Sequence, residues 1–239
     1  MQSPFTNIPP VVKNLLIINL ICFIPYIILN DNVYANQVVV HFGAFYFNSP
    51  YFKPWQIITY MFIHGGWEHI LFNMFALFSF GPILEYAIGS KKFFNLYFIC
   101  GIGAIAFQML VQAYEVHSII GSFTLANPST DSNYYLQFGE GAQKMYDIYN
   151  GPVVGASGAI FGVLVGFGML YPNLELMILF IPVPIKAKYI IPVYIIIEIV
   201  LGIGQFGGDN VAHFAHLGGA LLGFILIKAW GLQKPNNSY

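Results

Sequence analysis

The sequence predicts an all-α polytopic membrane protein, and three observations carry that reading. Hydrophobic residues fill 57% of its 239 positions and charged residues only 8%, whereas soluble domains carry about 25% charged residues. Apolar runs of roughly membrane-spanning length recur along the chain. Polar breaks rich in Asn, Pro and Lys separate them. Six spans follow, at roughly 11–29, 67–88, 92–113, 155–171, 189–206 and 211–230, within one membrane domain covering 1–239.

The first run, Val11 to Leu29, is too long for a signal h-region. It is followed by Asn30-Asp31-Asn32 rather than a small-residue cleavage site, so it is expected to be retained as a span. The segment 30–66 holds Phe42-Gly43-Ala44-Phe45-Tyr46-Phe47 and Trp55, aromatics suited to the headgroup interface. The second span carries His69 and Asn73, four residues apart and so on one helix face, with Glu85 as a structural acid near its end. The third follows Lys91-Lys92. The loop 114–152 has a turn-forming centre, Asn127-Pro128-Ser129-Thr130-Asp131-Ser132-Asn133. The fourth span is short, about 17 residues against roughly 20 for a typical spanning helix, so its outer end should lie in a water-filled depression. The fifth contains Glu198, read as a hydrogen-bonded or protonated carboxyl facing the bundle. Asp209, beside Asn210, is placed to cap the sixth.

Lysine placement sets the orientation. Lys13, Lys91, Lys92, Lys186, Lys188, Lys228 and Lys234 fall on the side of the termini, and only Lys53 and Lys144 on the other. Both termini are therefore expected in the cytoplasm, with loops 30–66 and 114–152 outside. A multi-pass protein of the bacterial inner membrane, opening to the extracytoplasmic side, is the expected setting. A net charge of −1 argues against nucleic-acid binding, which needs a basic patch to displace counterions. Cys22 and Cys100 lie in apolar runs and read as small core hydrophobes.

Chemistry concentrates in three spans. Ser157 opens the fourth in Gly155-Ala156-Ser157-Gly158, and His216 lies early in the sixth in His213-Phe214-Ala215-His216-Leu217-Gly218-Gly219. Counting from the opposite helix ends puts them about 21 Å and 18 Å deep at 1.5 Å per residue, close to one level. Gly158, Gly162 and Gly166 form a ridge on one helix and Gly219 with Gly223 on the other, which permits close backbone approach. Ser157 then reads as a nucleophile and His216 as its base. The side chains of His69 and Asn73, with the Ser157 backbone N–H, read as oxyanion donors.

These motifs, in this order on these spans, resemble the rhomboid family of intramembrane serine proteases, from about Trp55 to Trp230. The resemblance implies a six-helix rhomboid-like bundle and a serine endopeptidase that cuts transmembrane or membrane-proximal segments of other proteins. It implies Ser157 as nucleophile, His216 as base, and His69, Asn73 and Ser157 as the oxyanion hole. Gly155 would support the dyad, Phe161 would stack on the imidazole, and Gly219 and Gly223 would pack the sixth helix on the fourth. Phe72 matches a residue at the lateral substrate entrance. The family often has Trp-Arg where this chain has Trp55-Gln56, and the loop 114–152 is longer than expected.

Expected partners are transmembrane protein substrates and the lipid bilayer, with no nucleic acid, no cofactor and no metal. His213 and His216 invite a metal reading, but zinc wants three or four suitably spaced ligands and His-Glu-x-x-His does not occur. His64 reads as a hydrogen-bonding brace for the external loop. With Asp209 assigned to capping, a dyad is expected, its imidazole held by packing alone. An alternative on the same fold is a catalytically silent relative that binds and escorts membrane helices; a missing Ser157 or His216 would favour it, and both are present. A small transporter would call for an inverted repeat, and none is visible.

Overall fold

The computed structural model describes residues 8–29, 31–178, 181–204 and 211–233. We number its apolar helices α1 (Pro10–Ile28), α2 (Trp67–Ile88), α3 (Ser90–Ile120), α4 (Ser157–Leu170), α5 (Ala187–Gly204) and α6 (His213–Ala229). By length and composition α1, α2, α3 and α5 are able to cross a membrane; α4 and α6 are shorter apolar helices. Asp209 and Asn210, Lys234 and the last two residues of the expected fifth span lie outside the described residues.

Each boundary has a local cause. Pro9 and Pro10 start α1, where a missing N–H costs nothing. The next two donors, Val11 N and Val12 N, reach the Glu85 carboxylate of α2 at 3.1 and 2.8 Å. Negative charge at a helix N-terminus is favourable, and Ser90 Oγ donates to the same carboxylate at 2.6 Å. Glu85 thus ties α1, α2 and the start of α3. Gly89, at φ 82°, makes the turn between α2 and α3.

The third helix differs from expectation. It continues seven residues past 113, because nothing breaks it before Gly121, whose φ of 69° forms a left-handed cap. Its 31 residues span about 46 Å, more than a hydrocarbon core about 30 Å thick. The added turns are tolerable because Glu115, which reads as loop in sequence, pairs with Lys144 at 3.1 Å.

A second correction concerns the all-α class. Glu175–Ile178 (β1) and Ile181–Lys186 (β2) form a short antiparallel ribbon, with Glu175 opposite Lys186 and Leu176 opposite Ile185. Pro182 and Pro184, two residues apart, would each cost a helix a hydrogen bond, whereas a two-stranded ribbon is all edge and accepts them.

None of the α4 residues is exposed. It is enclosed by α2, α3, α5 and α6, while α1 and α5 turn rows of Ile and Val outward. A methyl at Gly158 would lie 2.5 Å from Ala104 Cβ of α3, and one at Gly162 would strike the Cys100 sulfur. Small residues therefore let α4 sit in the middle. Cys22 and Cys100 are both free thiols.

The two long interhelical segments and the end of α3 form a second, smaller core of Tyr46, Val116, Leu125, Tyr135, Met145, Ile148 and Tyr149. A two-bond bridge joins Ala44 to Val153 (2.8 and 2.7 Å), and Asn48 Oδ1 accepts from both Leu125 N and Tyr149 Oη (2.7 and 2.9 Å). Gln56, fully buried, donates to the Val40 and Tyr51 carbonyls at 3.0 and 3.1 Å and accepts from Lys53 N at 3.0 Å.

Candidate active site

The site begins with how α4 starts. Gly155 adopts φ +116°, a conformation that side chains avoid, and its N–H donates to the Tyr60 carbonyl at 2.9 Å. A Cβ there would lie 2.5 Å from His69 Nε2. Glycine thus serves twice, for the turn and for the ring pressed against it. Two residues later Ser157 opens the helix, where the first backbone N–H groups have no intrahelical acceptor.

The sixth helix comes close enough to deliver His216. A methyl at Gly219 would collide with the Gly158 carbonyl oxygen, and one at Gly223 would lie 2.6 Å from that of Gly162. Backbone therefore meets backbone between α4 and α6. Ser157 Oγ donates to His216 Nε2 at 2.7 Å. Phe161, one turn along α4, stacks on the imidazole with centroids 4.4 Å apart and planes 10° from parallel. The His216 side chain is 12% exposed.

The opposite imidazole nitrogen was not anticipated. His216 Nδ1 donates to Glu198 Oε2 at 2.9 Å, and His213 Nδ1 donates to the same oxygen at 2.7 Å. The expected imidazole held by packing alone is corrected here: a carboxylate also holds it. The usable signal was the rarity of an acid inside α5, which calls for a partner.

The second helix brings His69 and Asn73 to the same end. Gly65 N donates to His69 Nδ1 at 3.3 Å. That makes Nδ1 the acceptor and leaves the ring hydrogen on Nε2, the atom facing Gly155. Asn73 Nδ2 donates to the His69 carbonyl at 2.9 Å, using one of its two N–H groups on its own helix. Phe72 lies on the outer face of α2 and is exposed. His64 braces the segment before α2 through its backbone carbonyl, which accepts from Tyr34 Oη at 2.8 Å, rather than through its ring.

Glu198, His213 and His216 bring three possible metal-ligand atoms within 4.8 Å of one another. Their spacings of 2.7 and 2.9 Å are hydrogen-bond lengths. They are shorter than the roughly 3.3 Å edge of a tetrahedral zinc shell with bonds of about 2.0 Å, although two imidazoles and a carboxylate are a set that catalytic zinc can use with water as its fourth ligand. The arrangement suits acyl transfer: an alcohol on an imidazole, the imidazole on a carboxylate, and a second imidazole, His69, pressed against Gly155 from a third helix.

A family model for the Rhomboid domain matches residues 51–232. The chain is 29% identical over 223 residues to the rhomboid protease AarA of Providencia stuartii, covering 85% of this chain and 70% of that protein. It is 28% identical to mitochondrial rhomboid protein 1 of Saccharomyces cerevisiae, over 75% of this chain and 42% of the other. It is 29% identical to the rhomboid protease GluP of Bacillus subtilis, over 75% of this chain and 27% of the other. The chain thus spans less than half of the yeast and Bacillus proteins.

Proposed function

Because this chain belongs to the rhomboid family and is an integral membrane protein, we propose that it is an intramembrane serine endopeptidase, with Ser157 as nucleophile and His216 as general base. The observation that carries this reading is the 2.7 Å contact between Ser157 Oγ and His216 Nε2. The Ser157 hydroxyl proton passes to Nε2 as the oxygen attacks a substrate carbonyl. The resulting oxyanion is met by the Ser157 backbone N–H, His69 Nε2–H and the Asn73 amide. His216 then returns the proton to the leaving amine, and water releases the acyl group from Ser157. No cofactor enters these steps.

All six apolar helices cross the membrane in this reading, with the termini cytoplasmic and the site facing out of a bacterial inner membrane. The lysine asymmetry and the bacterial relatives support that placement. The 14 residues of α4 span about 21 Å, so Ser157 is recessed below the surface yet reachable by water. Substrates are transmembrane segments of other proteins. They enter between α2 and α5, past Phe72, and unwind so that a backbone carbonyl is freed from its own helix.

Co-expression with a panel of membrane-anchored proteins tests this, together with labelling by a fluorophosphonate probe. Wild type is expected to release fragments and to label at Ser157. Ser157→Ala abolishes labelling, and Ser157→Ala or His216→Ala lowers cleavage by about 10⁴-fold or more. A properly folded wild type that neither labels nor cuts would point instead to a silent relative that escorts membrane helices.

A further inference from the structure

We propose that Glu198 is a positioning residue for His216, giving the dyad a carboxylate third member borne on α5 and itself held by His213. The proposal rests on the serine-protease reading and deepens it.

The geometry is specific. His213 and His216 are three residues apart on α6 and so point the same way, toward α5. Gly202, one turn beyond Glu198, lets the helices meet there: a methyl on it would lie 3.2 Å from His213 Cβ. Both imidazole Nδ1 atoms then reach one carboxylate oxygen, at 2.7 and 2.9 Å. An ionised carboxylate only accepts, so each Nδ1 carries the hydrogen. His216 is thereby fixed in the tautomer whose Nε2 lone pair faces Ser157. The Phe161 stack sets the plane of the ring, and the bond to Glu198 sets its rotation within that plane.

The burial argues for function. Glu198 and His213 are both buried, at 8% and 7% exposure, in helices made mostly of apolar residues. An acid in that setting is costly and is found mainly where it has a task. When the Ser157 proton arrives on Nε2, the imidazolium lies beside an anion that needs no rearrangement. The Nδ1 proton stays on the ring throughout, and the carboxylate is not protonated. The titratable groups facing His216 are Glu198 from α5, His213 on its own helix and His69 from α2, which is close enough to feel its charge.

The test uses Glu198→Gln, Glu198→Asp and Ser157→Ala in the full chain, with thermal unfolding to select folded protein. Glu198→Gln is expected to lower kcat by about 10²- to 10⁴-fold with KM within about threefold of wild type. The acidic limb of its pH–rate profile should move to lower pH, because the imidazolium has lost its anion. A purely structural role would scale activity equally at every pH. Glu198→Asp keeps the charge and should restore part of kcat and return the limb toward wild type. Unchanged kcat and profile in folded Glu198→Gln, with wild type still labelled at Ser157, would overturn the positioning role alone. A wild type that does not label would overturn the protease reading along with it. Loss of wild-type activity on adding EDTA would overturn the proposal in favour of a metal held by the same three residues.

Discussion

His64 shows how much a single buried side chain can impose. It is fully buried, and burial, followed by the nearby His69, pushes its imidazole down to about 3 from the usual 6.5. The unfolded chain therefore binds a proton that the folded chain refuses. This contribution to stability is intact above pH 6.5 and is lost as pH falls toward 3. From this residue alone the protein should be about 2 kcal/mol less stable at pH 5 than at pH 7.5, at 1.36 kcal/mol per pH unit below 6.5. Unfolding midpoints for wild type and His64→Phe at the two pH values check it; equal acid sensitivity would refute it. At this scale the sequence was legible for Ser157 and His216, whose local motifs the structure brings into contact, and for His69, which it sets against Gly155. It was less so for Glu198, because an acid within α5 does not reveal that it faces two imidazoles on α6.

Helix packing depends on what is missing from the side chains. At Gly219 even a methyl group would strike the Gly158 carbonyl. Gly219→Ala should therefore push α6 from α4, cost about 1–3 kcal/mol as overpacking, and reduce cleavage by about 10²-fold, since His216 lies one turn away and about 1 Å of misplacement suffices. Thermal unfolding and fragment release, measured on one preparation, would show both effects; unchanged activity would mean that the glycine contact does not set the distance from Ser157 to His216. Apolar runs placed the helices well because each run ends at a nearby Gly, Pro or polar cluster. They failed at the end of α3, where the ion pair of Glu115 with Lys144 supports added turns. They also missed β1 and β2, since a ribbon between two spans has no apolar period long enough to register.

Among the described residues the buried apolar side chains form three clusters, two among the helices and one in the cap built from the long interhelical segments. The cap was not legible: Tyr149 Oη meets Asn48 across 101 residues of sequence, and no local pattern encodes such a meeting. The contact of α4 with α6 has a larger consequence. Main-chain atoms in direct touch are the least compressible spacer a protein has. The gap between alcohol and imidazole is therefore gauged by rigid framework, with no slack for heat to take up. Warming should leave turnover rising smoothly until the framework itself gives way. The temperature at which product formation collapses should then coincide with the calorimetric transition. Inactivation some 10 °C earlier would show that a softer part of the protein sets the gauge.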